Sequence, residues 1–126
     1  MVSELSVESH ERDGVVLLYP SGFINAHTVR LFEGALQKAI EGGCYRIVVS
    51  GAGLRYVASA GLGALMGVIE EVRTNGGDIR IAELNETVSN IFEMLGFNHL
   101  YRIFPSEQEA VSSFREASGR KPRASA

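Results

Sequence analysis

Ser59 opens the stretch Ser59-Ala60-Gly61-Leu62-Gly63, where residue types most invite chemistry in this chain of 126 residues. A serine just ahead of apolar residues at helical spacing stands where a helix N-cap belongs, and a cap of this kind contributes about 1 kcal/mol by satisfying a free backbone N–H. A cap does not account for Gly61 and Gly63, since each glycine costs roughly 1 kcal/mol against alanine inside a helix. Two glycines in one first turn point to close approach by another backbone or by a partner's surface. The same helix end offers unpaired N–H groups and the positive end of the dipole, a favourable field for a phosphoryl group on Ser59. Structural cap and modification site are both consistent with the residues.

Other chemistries find less footing. Gly51-Ala52-Gly53 follows an apolar run, but Tyr56 stands where a dinucleotide fingerprint needs its third glycine, and no phosphate-binding G-x-x-x-x-G-K-[ST] occurs. Val57-Ala58-Ser59-Ala60-Gly61 lacks the first glycine of a nucleophile elbow. Between Glu41 and Glu70 there is no Asp or Glu, and His10, His27 and His99 lie in other segments, so nothing beside Ser59 in the chain arranges acid–base catalysis or metal binding. The single cysteine, Cys44, can neither form an internal bridge nor furnish a structural zinc site. We expect no enzyme, no cofactor and no metal.

Composition sets the outer limits. With 45% hydrophobic and 21% charged residues the chain reads as one globular domain, expected over residues 1–117. From Ser118 to Ala126 it carries Arg120, Lys121 and Arg123 with no acid and no apolar periodicity, and is expected to be a disordered basic tail. Net charge is −3 for the whole chain, and without the tail nine basic residues face fifteen acidic ones, a balance of −6. That balance argues against direct nucleic-acid binding and suits a basic protein partner. No apolar run approaches the ~18 residues of a membrane span, and Met1 to His10 shows neither a basic start nor an apolar core of a signal peptide. A cytoplasmic protein without membrane insertion is expected.

The elements that must position Ser59 follow from periodicity. Leu5 and Val7 alternate with Ser6, Glu8 and His10, Asp13-Gly14 follows, and Val15 to Tyr19 forms a second β-favouring run, together a hairpin signal. Val29, Phe32, Ala35, Leu36, Ala39 and Ile40 share a helix face, with Asn25 as the expected N-cap and Gly42-Gly43 as the stop. Arg46 to Val49 reads as a buried strand followed by a glycine-rich link from Ser50 to Gly53. A second helix is expected from about Ser59 to Arg73, a strand over Asp78 to Ala82, and a third helix through Val88, Ile91, Phe92 and Leu95. Tyr101 to Phe104 reads as a short link, and Ser106 with Glu109 as a capping box for a last helix. The order β-β-α-β-α-β-α-α predicts an α/β domain: a mixed sheet of about four strands, an antiparallel hairpin at its start, and about four helices.

Several segments resemble a known family in order and spacing. They are Gly22-Phe23-Ile24-Asn25, Arg46-Ile47-Val48-Val49, the run from Tyr56 to Leu65, Asn90 to Phe97, Leu100 to Phe104, and Ser106 to Ala110. Across roughly residues 4 to 116 the chain resembles the STAS domain, and within it the small anti-sigma factor antagonists. The resemblance implies a protein-interaction switch: the antagonist binds an anti-sigma factor that is often a serine kinase, and phosphorylation ends the binding. It places the phosphoacceptor on Ser59 and partner binding on Asn25, Ala26, His27, Ala58, Ser59, Ala60, Gly61 and Gly63. The family commonly has Asp where this chain has Asn25, Ser50 and Ala58. Two other readings remain: a STAS subunit of a lipid transporter or larger regulatory assembly, and a small-molecule or nucleotide binder.

Overall fold

In the computed structural model the backbone is described for residues 4–124 and the side chains for residues 4–115. The basic tail expected at 118–126 lies outside the described side chains. The elements in chain order are strands β1 (Leu5–Arg12) and β2 (Val15–Ile24), helix α1 (Val29–Glu41), strands β3 (Arg46–Ser50) and β4 (Leu54–Val57), helix α2 (Ser59–Thr74), strand β5 (Asp78–Ala82), helices α3 (Glu86–Met94) and α4 (Phe97–Leu100), strand β6 (Ile103–Phe104) and helix α5 (Glu107–Ala124).

Asp13 and Gly14 both take positive φ, 57° and 78°, and close the β1–β2 hairpin, which pairs antiparallel in unbroken register from Leu5↔Gly22 to Arg12↔Val15. Every later pairing is parallel, giving the order β1-β2-β3-β5-β6 with β4 set against the far end of β2. The expected mixed sheet and hairpin are therefore present, with six strands instead of about four. The two additional strands have four and two residues. Leu54-Arg55-Tyr56-Val57 is buried at its ends and exposed in its middle, so it shows no period of two and passes in sequence for a continuation of the loop. What had read as one glycine-rich link is a tight turn, with Leu54 N–H bonded to Gly51 C=O at 3.0 Å, that delivers the chain into β4.

The sheet separates two cores. On one face α1, α2 and α3 bring Phe32, Leu36, Leu62, Leu65, Val72, Val88 and Phe92 against Val16, Leu18, Ile24, Ile47 and Val49. On the other, α5 lays Ala110, Val111 and Phe114 on Val15, Leu17, Val48 and Ala82. Under α5 the buried Arg80 donates to Ser113 Oγ at 2.7 Å and to Asp78 at 3.1 Å, while its guanidinium lies 4.1 Å from the centre of the Phe114 ring. Burial lowers its pKa, the Asp78 carboxylate opposing that shift. The helix thus adds a paired charge to a small apolar contact.

Candidate functional site at the carboxyl ends of β2 and β4

Parallel pairing of β2 with β4 decides where the candidate residues go. Phe23 lies opposite Tyr56 and Ile24 opposite Val57, and Ala58 N–H then bonds Ile24 C=O at 2.8 Å. Asn25 and Ala58, 33 positions apart in sequence numbering, therefore stand side by side where two neighbouring strands end and α1 and α2 begin. The register shift between Gly22 and Phe23 makes this possible. Gly22 holds φ at 116°, and a Cβ there would collide with the Glu4 backbone, whose C=O accepts from Phe23 N–H at 2.9 Å.

Ser59 is the first residue of α2, and its side chain is exposed. The N-cap is Ala58, extended at φ −86° and ψ 172°, and no side chain caps the helix. The expectation that Ser59 is itself the cap is thus corrected by one position. Ala58 completes the strand-like path that its bond to Ile24 requires, so the chain turns helical only at Ser59. The N–H groups of Gly61 and Leu62 reach Ala58 C=O at 2.9 and 3.4 Å, leaving those of Ser59 and Ala60 without a partner among the described residues. No acidic residue occupies the first turn of α2 or of α1.

Asn25 also sits differently from expectation. Its Oδ1 accepts from His27 N–H at 2.9 Å and Thr28 N–H at 3.1 Å, closing a turn ahead of α1, and the helix N-cap is Thr28. Thr28 Oγ1 donates to Phe23 C=O at 2.7 Å and accepts from Asn25 N–H at 2.9 Å, which fixes the loop that exposes Ala26 and His27. The two glycines of α2 divide. Gly61 is buried, and a Cβ on it would come within 2.7 Å of Ile24 Cγ2 and 2.9 Å of Val57 Cγ1, so its smallness serves the fold. Gly63 is exposed, and a Cβ there would meet nothing within 4 Å. Ser50 is 2% exposed at the end of β3, where it pairs with Ala82 of β5, several residues back along the sheet from this ledge.

Three further residues belong to the ledge that the sequence did not single out as functional. Phe23 and Tyr56 are 42% and 45% exposed, side by side on adjacent strands, an aromatic pair turned to solvent. Neither falls within an element expected from sequence, Tyr56 lying in what reads there as loop, and only their exposure marks them. The carboxylate of Glu4 reaches Asn25 Nδ2 at 3.5 Å, from a segment remote in sequence. Among the described residues no group of three His, Cys, Asp or Glu could hold a metal ion, and no helix is long and apolar enough to cross a membrane.

Comparison with known proteins agrees with this architecture. An anti-sigma F factor antagonist of Paenibacillus polymyxa is 26% identical over 115 residues, spanning 90% of this chain and 98% of that protein. A crystal structure of an anti-sigma factor antagonist from Mycobacterium paratuberculosis superposes with a TM-score of 0.81 at 18% identity, covering 88% of this chain and 94% of the other. The antagonist SpoIIAA superposes in its unphosphorylated form with a TM-score of 0.73 at 22% identity, covering 89% and 96%. Its phosphorylated form from Bacillus superposes at 0.65 with 20% identity, covering 87% and 98%. The STAS domain family model matches residues 6–110, a span that takes in the hairpin, the ledge at Asn25 and Ser59, and the start of α5. With the parallel strands β2 and β4 delivering two helix starts to one ledge, and that match over most of its length, the chain belongs to the STAS domain family.

Proposed function

We propose that this protein is an anti-sigma factor antagonist, a cytoplasmic binding module that docks an anti-sigma factor with serine-kinase activity through the ledge at Asn25, Ala26, His27, Ala58, Ser59, Ala60, Gly61 and Gly63. The observation that carries the reading is the exposed Ser59 at the first position of α2, beside the Asn25 loop, in a chain whose relative over nearly its full length bears that name. Phe23 and Tyr56 join the docking surface, since exposed aromatic side chains are favoured anchors of protein interfaces. Gly63 has open space around it and leaves room for a partner's backbone to come close.

Ser59 is the phosphoacceptor in this reading, and a slow one. An acid beside a serine orients it or takes its proton, and losing such a group typically costs roughly 10² to 10⁴ in rate. Ala58 supplies neither, and Glu4 reaches the ledge only at Asn25. The partner's binding and kinase activities test both parts. Gly63→Arg, which places a bulky cation on open surface, is expected to abolish binding of the cognate kinase while the circular-dichroism melt falls no lower than that of the wild type, since the change removes a glycine from a helix. Phosphopeptide mass after incubation with that kinase and ATP is expected to show faster modification of Ala58→Asp than of the wild type, at Ser59. Full affinity of folded Gly63→Arg would move the interface elsewhere. Rapid stoichiometric phosphorylation of the wild type would make it an ordinary switchable antagonist.

A further inference from the structure

The two edges of the sheet are finished differently. β6 closes one side with two residues, too short to recruit another strand. β1 closes the other with eight residues, paired to β2 without a bulge and containing no proline, so what guards this edge is its charges, Glu8, Glu11 and Arg12, which are of both signs. From Glu8 to Arg12 every residue of β1 is exposed.

The ladder fixes which backbone groups face outward. Phe23 N–H bonds the C=O of Glu4, its opposite residue, and hydrogen-bonded pairs alternate along an antiparallel ladder. Ser6, Glu8, His10 and Arg12 therefore turn their N–H and C=O toward β2, while Val7, Ser9 and Glu11 turn theirs away from it. The side chains divide by the same parity: Ser6, Glu8, His10 and Arg12 share the sheet face with Leu17 and Tyr19 and line an open concavity of about 650 Å³ beside α5.

We propose that β1 pairs antiparallel with β1 of a second copy, about a two-fold axis at Ser9, joining two sheets into one. This alignment matches Ser9 with its counterpart and Val7 with Glu11 of the other copy, so all three outward-facing residues exchange both of their hydrogen bonds. Between them Glu8 falls opposite His10 and Ser6 opposite Arg12, and no like charges meet. An axis at Val7 also avoids like charges, but it pairs Glu8 with Ser6 instead of His10 and leaves Glu11 and Arg12 with no counterpart within β1. The other neighbouring alignments are worse. An axis at Glu8 or at Glu11 sets carboxylates face to face. An axis at His10 sets Val7 against Asp13, which has left the extended region at φ 57° and cannot continue a ladder. The alignment about Ser9 alone sets Glu8 opposite His10 within the strand and places every charge of the edge against a residue that does not repel it, a self-complementarity that points to a second copy as its occupant. The proposal stands apart from the antagonist reading, because β1 makes no part of the ledge at Ser59.

Sedimentation equilibrium of the whole chain in about 0.15 M salt, where repulsion between two net-negative copies is screened beyond ~8 Å, tests it. The wild type is expected to pass reversibly from monomer to dimer between about 10 µM and 1 mM, the range of weak association. Ser9→Pro removes one outward N–H at a position where an edge strand accepts proline, and is expected to stay monomeric with an unchanged far-UV spectrum. Should that variant fail to fold, cysteine pairing decides. In a Cys44→Ser background Ser9→Cys is expected to give a disulfide-linked dimer under mild oxidation, since hydrogen-bonded antiparallel partners have Cα atoms about 5.5 Å apart. Glu11→Cys, whose two copies would lie roughly 13 Å apart along the strand, is expected to stay monomeric. A wild type that remains a monomer to about 1 mM, or cross-linking of Glu11→Cys as fast as Ser9→Cys, overturns the proposal.

Discussion

The hydroxyl of Tyr101 is buried without a hydrogen-bond partner among the described residues, although its ring is well held, stacked 5.9 Å from Phe97 and with the Arg73 guanidinium 5.8 Å from its centre. Burial raises the pKa of the phenol far above its ordinary 10.0. Since the folded value lies above the unfolded one, the fold favours the neutral phenol. That contribution is complete below about pH 10 and is lost as pH climbs toward the folded value. Tyr101→Phe removes the orphan hydroxyl and keeps the ring, and urea titration is expected to find the variant about 1 kcal/mol more stable at neutral pH, with a shallower decline in alkali. A loss of stability would mean that the hydroxyl has a partner. Sequence treated Tyr101 as part of a link between elements, because a single aromatic between short segments gives no period from which burial can be read. Ser59 was legible to within one position. Whether the serine or the alanine before it leaves the strand depends on a hydrogen bond to Ile24, and that bond comes from β2.

At the scale of an element, α2 combines two demands that its glycines separate. Gly61→Ala drives a methyl toward Ile24 and Val57, and is expected to destabilise the protein by about 1–3 kcal/mol. Gly63→Ala adds its methyl to open space and gains helix propensity, so it is expected to stabilise by up to about 1 kcal/mol. Denaturant midpoints of the two variants, with opposite signs, check the assignment; two losses of similar size would show that both glycines serve internal packing. From sequence the pair looked alike, since spacing reveals a helix face but not the distance to the strand behind it. The long elements were legible for the reason that α2 itself was: α1, β3 and β5 carry enough apolar residues at a regular interval to declare their period. β4 and β6 are strands because of what lies next to them. Their four and two residues cannot show a pattern, and their pairing with β2 and β5 is a property of the assembled sheet.

For the whole molecule the sheet is the common wall of both cores, and alternate residues of β2 and β3 feed one and then the other. Val16 and Leu18 face α1 and α2 while Val15 and Leu17 face α5, so neither side can be lost without undoing strands on which the other rests. Unfolding is therefore expected to be a single transition. Fluorine NMR of fluorotyrosine-labelled protein checks this through Tyr19, beside the smaller core, and Tyr101, in the larger one: both folded signals should fade at one urea concentration. Separate midpoints would make α5 an independent unit. The hairpin and the parallel run of β2, β3 and β5 were legible because the connections between them join long elements. The meeting of Asn25 with Ala58 was not, since it depends on the register of β4. That meeting also has an electrical consequence. Two helices with no acid in their first turns start together on a molecule of net charge −3, so one end of an otherwise acidic body presents the positive poles of two helix dipoles, with the Glu4 carboxylate beside only one of them. In solution such a particle turns in the field of any anionic neighbour before touching it, leading with the ledge. A phosphoryl group at Ser59 would cancel that pole, and the molecule would lose its preferred heading as well as its contact.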